Sequence, residues 1–253
     1  MRDAGRRFRS VLGALVIVAW AGSAGAAPIG PITPAGGHWT VGFDGGIGVG
    51  GDLEYDPPIA GITSEIDQNY LYLFRAGYGF NDNFEAMGWL GGGTLQEVDA
   101  GGGAAAAVDL GGAFVGGIGA QGVVPDLFGD WGLGAHVSYL WHGNRDSVNA
   151  AVAAGGFAVG VADIPADINV GELQGAITLQ GDYDSWDPYV GLTLSEILIE
   201  GSIAGIPFRD LRLKNTAGVV VGTGFDFSET FGGYIEGRLV DQDAVNFGFL
   251  WAF

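Results

Sequence analysis

His136-Val137-Ser138 is the stretch best placed to do chemistry. Side chains two apart on a β-strand share a face, so an imidazole would lie beside a hydroxyl, the pairing that activates a serine nucleophile. A working triad also needs an acid to orient the imidazole. The chain has 3 His, at His38, His136 and His142, and their spacing matches no zinc pattern. His142 precedes Asp163 and Asp167, but no Asp-x-His pair occurs. Asp52, Glu54, Asp56, Glu65 and Asp67 surround Pro57-Pro58 and offer oxygen ligands to Ca²⁺. They lack the spaced Asp/Asn-Gly pattern of a calcium loop and read as a solvated acidic face. Gly101-Gly102-Gly103 is followed by neither Lys nor Ser/Thr, so it is not a phosphate loop. With 0 Cys there is no disulfide framework or thiolate chemistry. The reading is therefore of no catalytic residues, no metal and no cofactor.

The elements that carry these residues follow a period of two. Hydrophobic residues make up 48% of the 253-residue chain, too many for disorder, and charged residues only 15%. Beyond the N-terminus no run of 18 apolar residues occurs, so the apolar residues are spread over alternate positions. Residues 1–26 read as a cleaved signal peptide: Arg2, Arg6, Arg7 and Arg9, an apolar segment 11–20, then Ala24-Gly25-Ala26. Removing its four Arg and one Asp leaves 6 basic and 28 acidic residues, a net charge of −22. Nucleic acid is thereby excluded as a partner. Residues 27–37 hold three Pro and no period, and read as a periplasmic lead-in.

From His38 onward, ten strands are expected, with 8 or 12 as alternatives. They lie near 38–49, 69–80, 84–95, 110–124, 131–143, 171–182, 188–195, 216–227, 231–240 and 244–253. Short connections at 81–83, 125–130, 184–187 and 228–230 alternate with long ones at 51–68, 96–109, 143–170 and 200–214. The last connection, 241–243, is short. Part of 143–170, near 150–161, is expected to form a hairpin rising above the membrane. Short turns at one end and long loops at the other define an up-and-down transmembrane barrel, and an even count puts both termini on one side. The alternation turns Arg75, Tyr234, Glu236, Arg238 and Asn246 into the lumen, among glycines that make room for them. His136 and Ser138 face the same way and read as two more polar lumen residues. Pairing numbers that sum to about 484 across the last hairpin set Phe249 opposite Ile235 and Arg238 opposite Asn246. A sum near 458 in the preceding hairpin sets Glu236 opposite Gly222.

The final strand carries Val245, Phe247, Phe249, Trp251 and Phe253 on one face. It resembles the C-terminal strand of small Gram-negative outer-membrane β-barrel proteins, and Asp187-Pro188-Tyr189-Val190-Gly191-Leu192 resembles a run frequent in them. The resemblance implies residence in the bacterial outer membrane and contact with its lipid. It also implies that Phe247, Phe249, Trp251 and Phe253 form a signal read by the barrel-assembly machinery. His136-x-Ser138 is similar to the His-x-Ser of outer-membrane lipid A deacylases, but that family's acid falls here on Ala150. An omptin-like protease would need clustered Asp with His at the outer rim. The resulting expectation is an all-β outer-membrane barrel, residues 38–253, with a structural or surface-interaction role. A narrow porin-like channel for small solutes, or a lipid A-modifying enzyme or protease, are the alternatives. Any solutes or surface ligands are unspecified.

Overall fold

The computed structural model describes residues 28–48, 52–55, 63–66, 69–95, 98–101, 105–109, 111–154, 157–207, 211–213, 216–240 and 243–253. The signal peptide expected at 1–26 and the cleavage point at Ala27 lie outside the described residues.

Ten long strands form the barrel wall: β1 (Trp39–Gly48), β2 (Asn69–Asn81), β3 (Phe84–Leu95), β4 (Gly111–Val124), β5 (Trp131–Ala154), β6 (Phe157–Gly181), β7 (Trp186–Ile203), β8 (Ala217–Ser228), β9 (Phe231–Leu239) and β10 (Ala244–Ala252). Each pairs antiparallel with the next, and β1 pairs with β10, so the sheet closes without an edge. The seam is drawn tight by Phe253 N–H to Trp39 O at 3.0 Å and Trp39 N–H to Phe253 O at 3.1 Å. Turn chemistry fixes the short end: in 81–83 the Asn83 N–H donates to Asn81 Oδ1 at 2.9 Å.

β5 and β6 are 24 and 25 residues long, more than twice the roughly 9–11 that a membrane strand needs. Their outer halves form the hairpin expected near 150–161, with Phe157 opposite Ala154. Together with β7 they pair with five short strands, 52–55, 63–66, 98–101, 105–109 and 211–213, into a second closed ring of eight segments. Where they are described, the strands of the long connections thus continue the barrel beyond the membrane with neighbours paired.

Large apolar side chains point outward along every wall strand. Phe43, Phe74, Leu90, Ile118, Val137, Ile177, Leu192 and Val221 are all exposed. Such a band is stable only against lipid. At the short-turn rim it ends in aromatic clusters, Trp39–Tyr78–Phe80–Phe84, Trp131–Tyr183–Trp186 and Phe227–Phe231–Trp251. That is the interfacial position aromatic rings favour.

The register of β8 and β9 is the one expected, with Glu236 opposite Gly222. The last hairpin is shifted by two residues: Phe249 faces Gly233, Ile235 faces Phe247, and Arg238 faces Ala244. A shift of two keeps every side chain on its face. It is fixed by a stack of Phe231 on Trp251 at 4.3 Å and by a turn starting at Val240, whose N–H donates to Asp243 Oδ1 at 3.0 Å.

The final strand separates two roles for its aromatics. Phe253 is 67% exposed and Phe249 is 41% exposed, with Phe249 packed beside Phe231 and opposite Phe43. Phe253→Ala keeps the backbone seam and is expected to cost under about 1 kcal/mol in urea unfolding. Phe249→Ala should cost about 1–3 kcal/mol, below the roughly 3–5 of a fully buried Phe. Equal losses for the two would contradict this division.

Candidate functional site

The lumen holds three sets of side chains. On the wall of β2–β5, Leu71, Leu73, Met87, Trp89, Val115 and Leu140 form an apolar cluster. It fits because glycines face the large residues: a Cβ at Gly119 would lie 2.8 Å from the Trp89 ring, and one at Gly117 would lie 2.3 Å from Leu140 Cδ2. Trp89 donates Nε1–H to Asp44 Oδ2 at 2.8 Å, and Tyr234 donates its hydroxyl to Asp44 Oδ1 at 2.7 Å. Asp44 therefore joins this cluster to the opposite wall.

The second set lies towards the short-turn rim. Arg75 and Glu85, both 1% exposed, form a salt bridge of 3.3 Å between Nη2 and Oε2. Gln121 Nε2 donates to the same Glu85 oxygen at 2.7 Å, and the Thr40 hydroxyl donates to Oε1. These four residues line the floor of a cavity of about 210 Å³ that also touches Pro31, Thr33 and Ala35.

The third set is built around Glu236, 1% exposed. Its carboxylate accepts four hydrogen bonds: Asn246 Nδ2 at 2.8 Å, the Tyr189 hydroxyl at 2.9 Å, Ile29 N–H at 3.1 Å and Gly30 N–H at 3.0 Å. Four donors on one carboxylate give strong charge-assisted bonds. Arg238, fully buried one lumen position further along β9, donates instead to Gln174 Oε1 at 2.8 Å and Ser195 Oγ at 2.7 Å. The five lumen residues read from the sequence all face inward, but in separate networks: Arg75 with Glu85, Tyr234 with Asp44, Glu236 with Asn246, and Arg238 with β6 and β7.

The bonds to Ile29 and Gly30 reveal a component that the period-two pattern does not contain. Residues 28–34, expected in the periplasm, enter the barrel: 28–32 are buried in the lumen, and Thr33 is exposed beside the cavity near the short-turn rim. Ile29 and Ile32 are fully buried. Ile29 packs with Ala176, Tyr189 and Val220. Ile32 exchanges two hydrogen bonds with Gln180, N–H to Oε1 at 3.2 Å and Nε2–H to its carbonyl at 2.8 Å. Glycines in the wall make the track. A Cβ at Gly134 would meet Ile32 Cδ1 at 2.7 Å, and one at Gly224 would meet Pro31 Cγ at 2.9 Å. Within the segment, Gly30 has φ +67° and lies on the Tyr234 ring, a backbone turn that L side chains resist. The chain leaves the lumen where Gly37 N–H meets Gly79 O at 2.8 Å.

His136 and Ser138 are buried on the lumen face of β5. His136 stands opposite Gln121 and Ala176, and Ser138 opposite Gly119 and Gln174. Neither ring nitrogen of His136 nor the Ser138 hydroxyl has a protein hydrogen-bond partner, and the nearest ring is Trp89 at 6.2 Å. The dyad bond that would activate the serine is thus not formed. His142 is buried, while Asp163 and Asp167 are exposed. Gln121 Oε1, Gln174 Nε2 and Thr178 Oγ1 are likewise buried without a protein partner. Such groups are served by ordered water.

No protein-family model and no curated protein matches the chain. Solved structures similar to it are outer-membrane proteins. An outer membrane channel from Pseudomonas putida F1 is 10% identical, with a TM-score of 0.48 over 90% of this chain and 100% of that one. The outer membrane protease OmpT from Escherichia coli is 10% identical, with a TM-score of 0.47 over 88% and 99%. The outer membrane protein OprG from Pseudomonas aeruginosa is 12% identical, with a TM-score of 0.41 over 87% and 98%. At these values none lends a residue role to this chain. By its own closure, even strand number and lipid-facing band, the architecture is that of a bacterial outer-membrane β-barrel.

Proposed function

We propose that the chain is a sealed outer-membrane barrel with a structural or surface-interaction role, without catalysis. Its wall strands hold a tall closed ring of loop strands outside the membrane. The observation that carries this reading is the lumen segment 28–34, with Ile29 and Ile32 fully buried and Glu236 gripping two backbone amides. Ten strands enclose little more space than the eight that side chains alone can fill. Here the Leu71–Leu140 cluster fills one side and the segment fills the other. The alternation of outward aromatics in β10 supports delivery by the barrel-assembly machinery, and the lipid-facing band supports lipid as the main partner. Wild-type protein reconstituted in planar bilayers is expected to give no steady stepwise current. A stable open conductance in wild type would overturn the sealed-lumen reading.

A further inference from the structure

The lumen segment is held in a way that differs from everything around it. The wall strands are bound to their neighbours by continuous ladders on both sides. Residues 28–34 are bound by four hydrogen bonds to two side chains, Glu236 and Gln180, and by the burial of two isoleucines. The wall closes without them, because the β1–β10 seam and the Asp44–Tyr234 and Glu236–Asn246 bonds use wall residues alone.

The two sides of the lumen are also unlike. The Leu71–Leu140 cluster belongs to the wall and stays in place. The side occupied by the segment is mixed: Thr178, Gln180, Tyr189 and Glu236 face it beside Ala176 and Val220, and withdrawal would vacate the places of Ile32 against Gly134 and of Pro31 against Gly224. A peptide has a cross-section of about 5 by 10 Å, enough on withdrawal for water and small hydrated ions. The cavity beside it is lined by Glu85, Asp187 and Asp226 against Arg75, and Glu236 and Arg238 are buried in the same lumen. An acidic excess in a low-dielectric passage favours cations.

We propose that residues 28–34 are a releasable plug over a latent pore that passes small hydrophilic solutes and prefers cations to anions. This rests on the sealed-lumen reading and adds a transport function beneath it. The test uses the mature chain in planar bilayers under a KCl gradient, with heat-modifiable migration certifying that each barrel is folded. Two variants are compared with wild type: deletion of residues 28–34, and Ile29→Asn with Ile32→Asn, which loosens the plug and leaves the wall untouched. Both are expected to give stepwise currents absent from wild type, with a reversal potential displaced towards that of K⁺. Folded variants as silent as wild type would overturn the plug. Open variants preferring Cl⁻ would overturn the assigned selectivity. A wild type that conducts as much as the variants would sink the sealed-lumen reading instead.

Discussion

Glu85→Leu is expected to destabilise the folded barrel by about 3–5 kcal/mol, the cost of leaving one member of a buried ion pair without its partner. Glu85 is the carboxylate on which Arg75, Gln121 and Thr40 converge, and both it and Arg75 are 1% exposed. Removing it strands a guanidinium that is already short of partners, since Arg75 Nε has no acceptor. The double variant Arg75→Leu with Glu85→Leu should recover most of the loss, because two apolar side chains of similar volume need no counter-charge. Urea unfolding from lipid vesicles, read as a double-mutant cycle, checks this. A single-variant loss below about 1 kcal/mol, or two losses that simply add, would show that water rather than Glu85 carries the Arg75 charge.

Glu236→Ala is the second large effect, expected at about 2–5 kcal/mol. It orphans four donors, and a buried donor without an acceptor costs about 1–3 kcal/mol. Asn246 and Tyr189 can turn to other partners, whereas the Ile29 and Gly30 amides are fixed by the backbone. The loss should therefore concentrate on the lumen segment. Glu236→Gln keeps the shape and an acceptor oxygen and should lose less than half as much. Hydrogen exchange distinguishes this from a general loosening: the amides of 29 and 30 should lose protection in Glu236→Ala while those of β2 and β3 keep theirs. Uniform loss around the barrel would contradict the clamp.

The wall was legible in the chain because lipid leaves one simple rule, large apolar residues outward at every second position. The ten strands, their faces and the inward turn of Arg75, Tyr234, Glu236, Arg238 and Asn246 all follow from it. What the rule does not contain is distance along a strand. A two-residue slip in the last hairpin leaves the pattern untouched, so it was decided by the Phe231–Trp251 stack and the turn at Val240. Partner choice in the lumen is equally invisible to periodicity. Arg238 lies within reach of Glu236 by spacing, yet bonds to β6 and β7, while Glu85 and Asp44 become hubs through strands distant in sequence. A single acid on a lumen face, as Asp44 is between Gly42 and Gly46, is the signal that could have pointed to them. Residues 28–34 have no period at all. Their place is set by a hole in the wall's packing, carved at Gly134 and Gly224, and a hole is a property of ten strands together.

Residues 28–34 enter the barrel, and the lumen is closed by them. Pro31 and Gly224 test this directly, since a Cβ at 224 lies 3.3 Å from Pro31 Cβ, a few tenths of an ångström below the roughly 3.5–4.5 Å range of disulfides. The natural chain has 0 Cys, so Pro31→Cys with Gly224→Cys has no competing thiol. On mild oxidation in intact outer membranes a disulfide between 31 and 224 is expected, found by mass spectrometry of the folded barrel. Two free thiols, with the one at 31 labelled by a bulky periplasmic maleimide, would place the segment outside and contradict it.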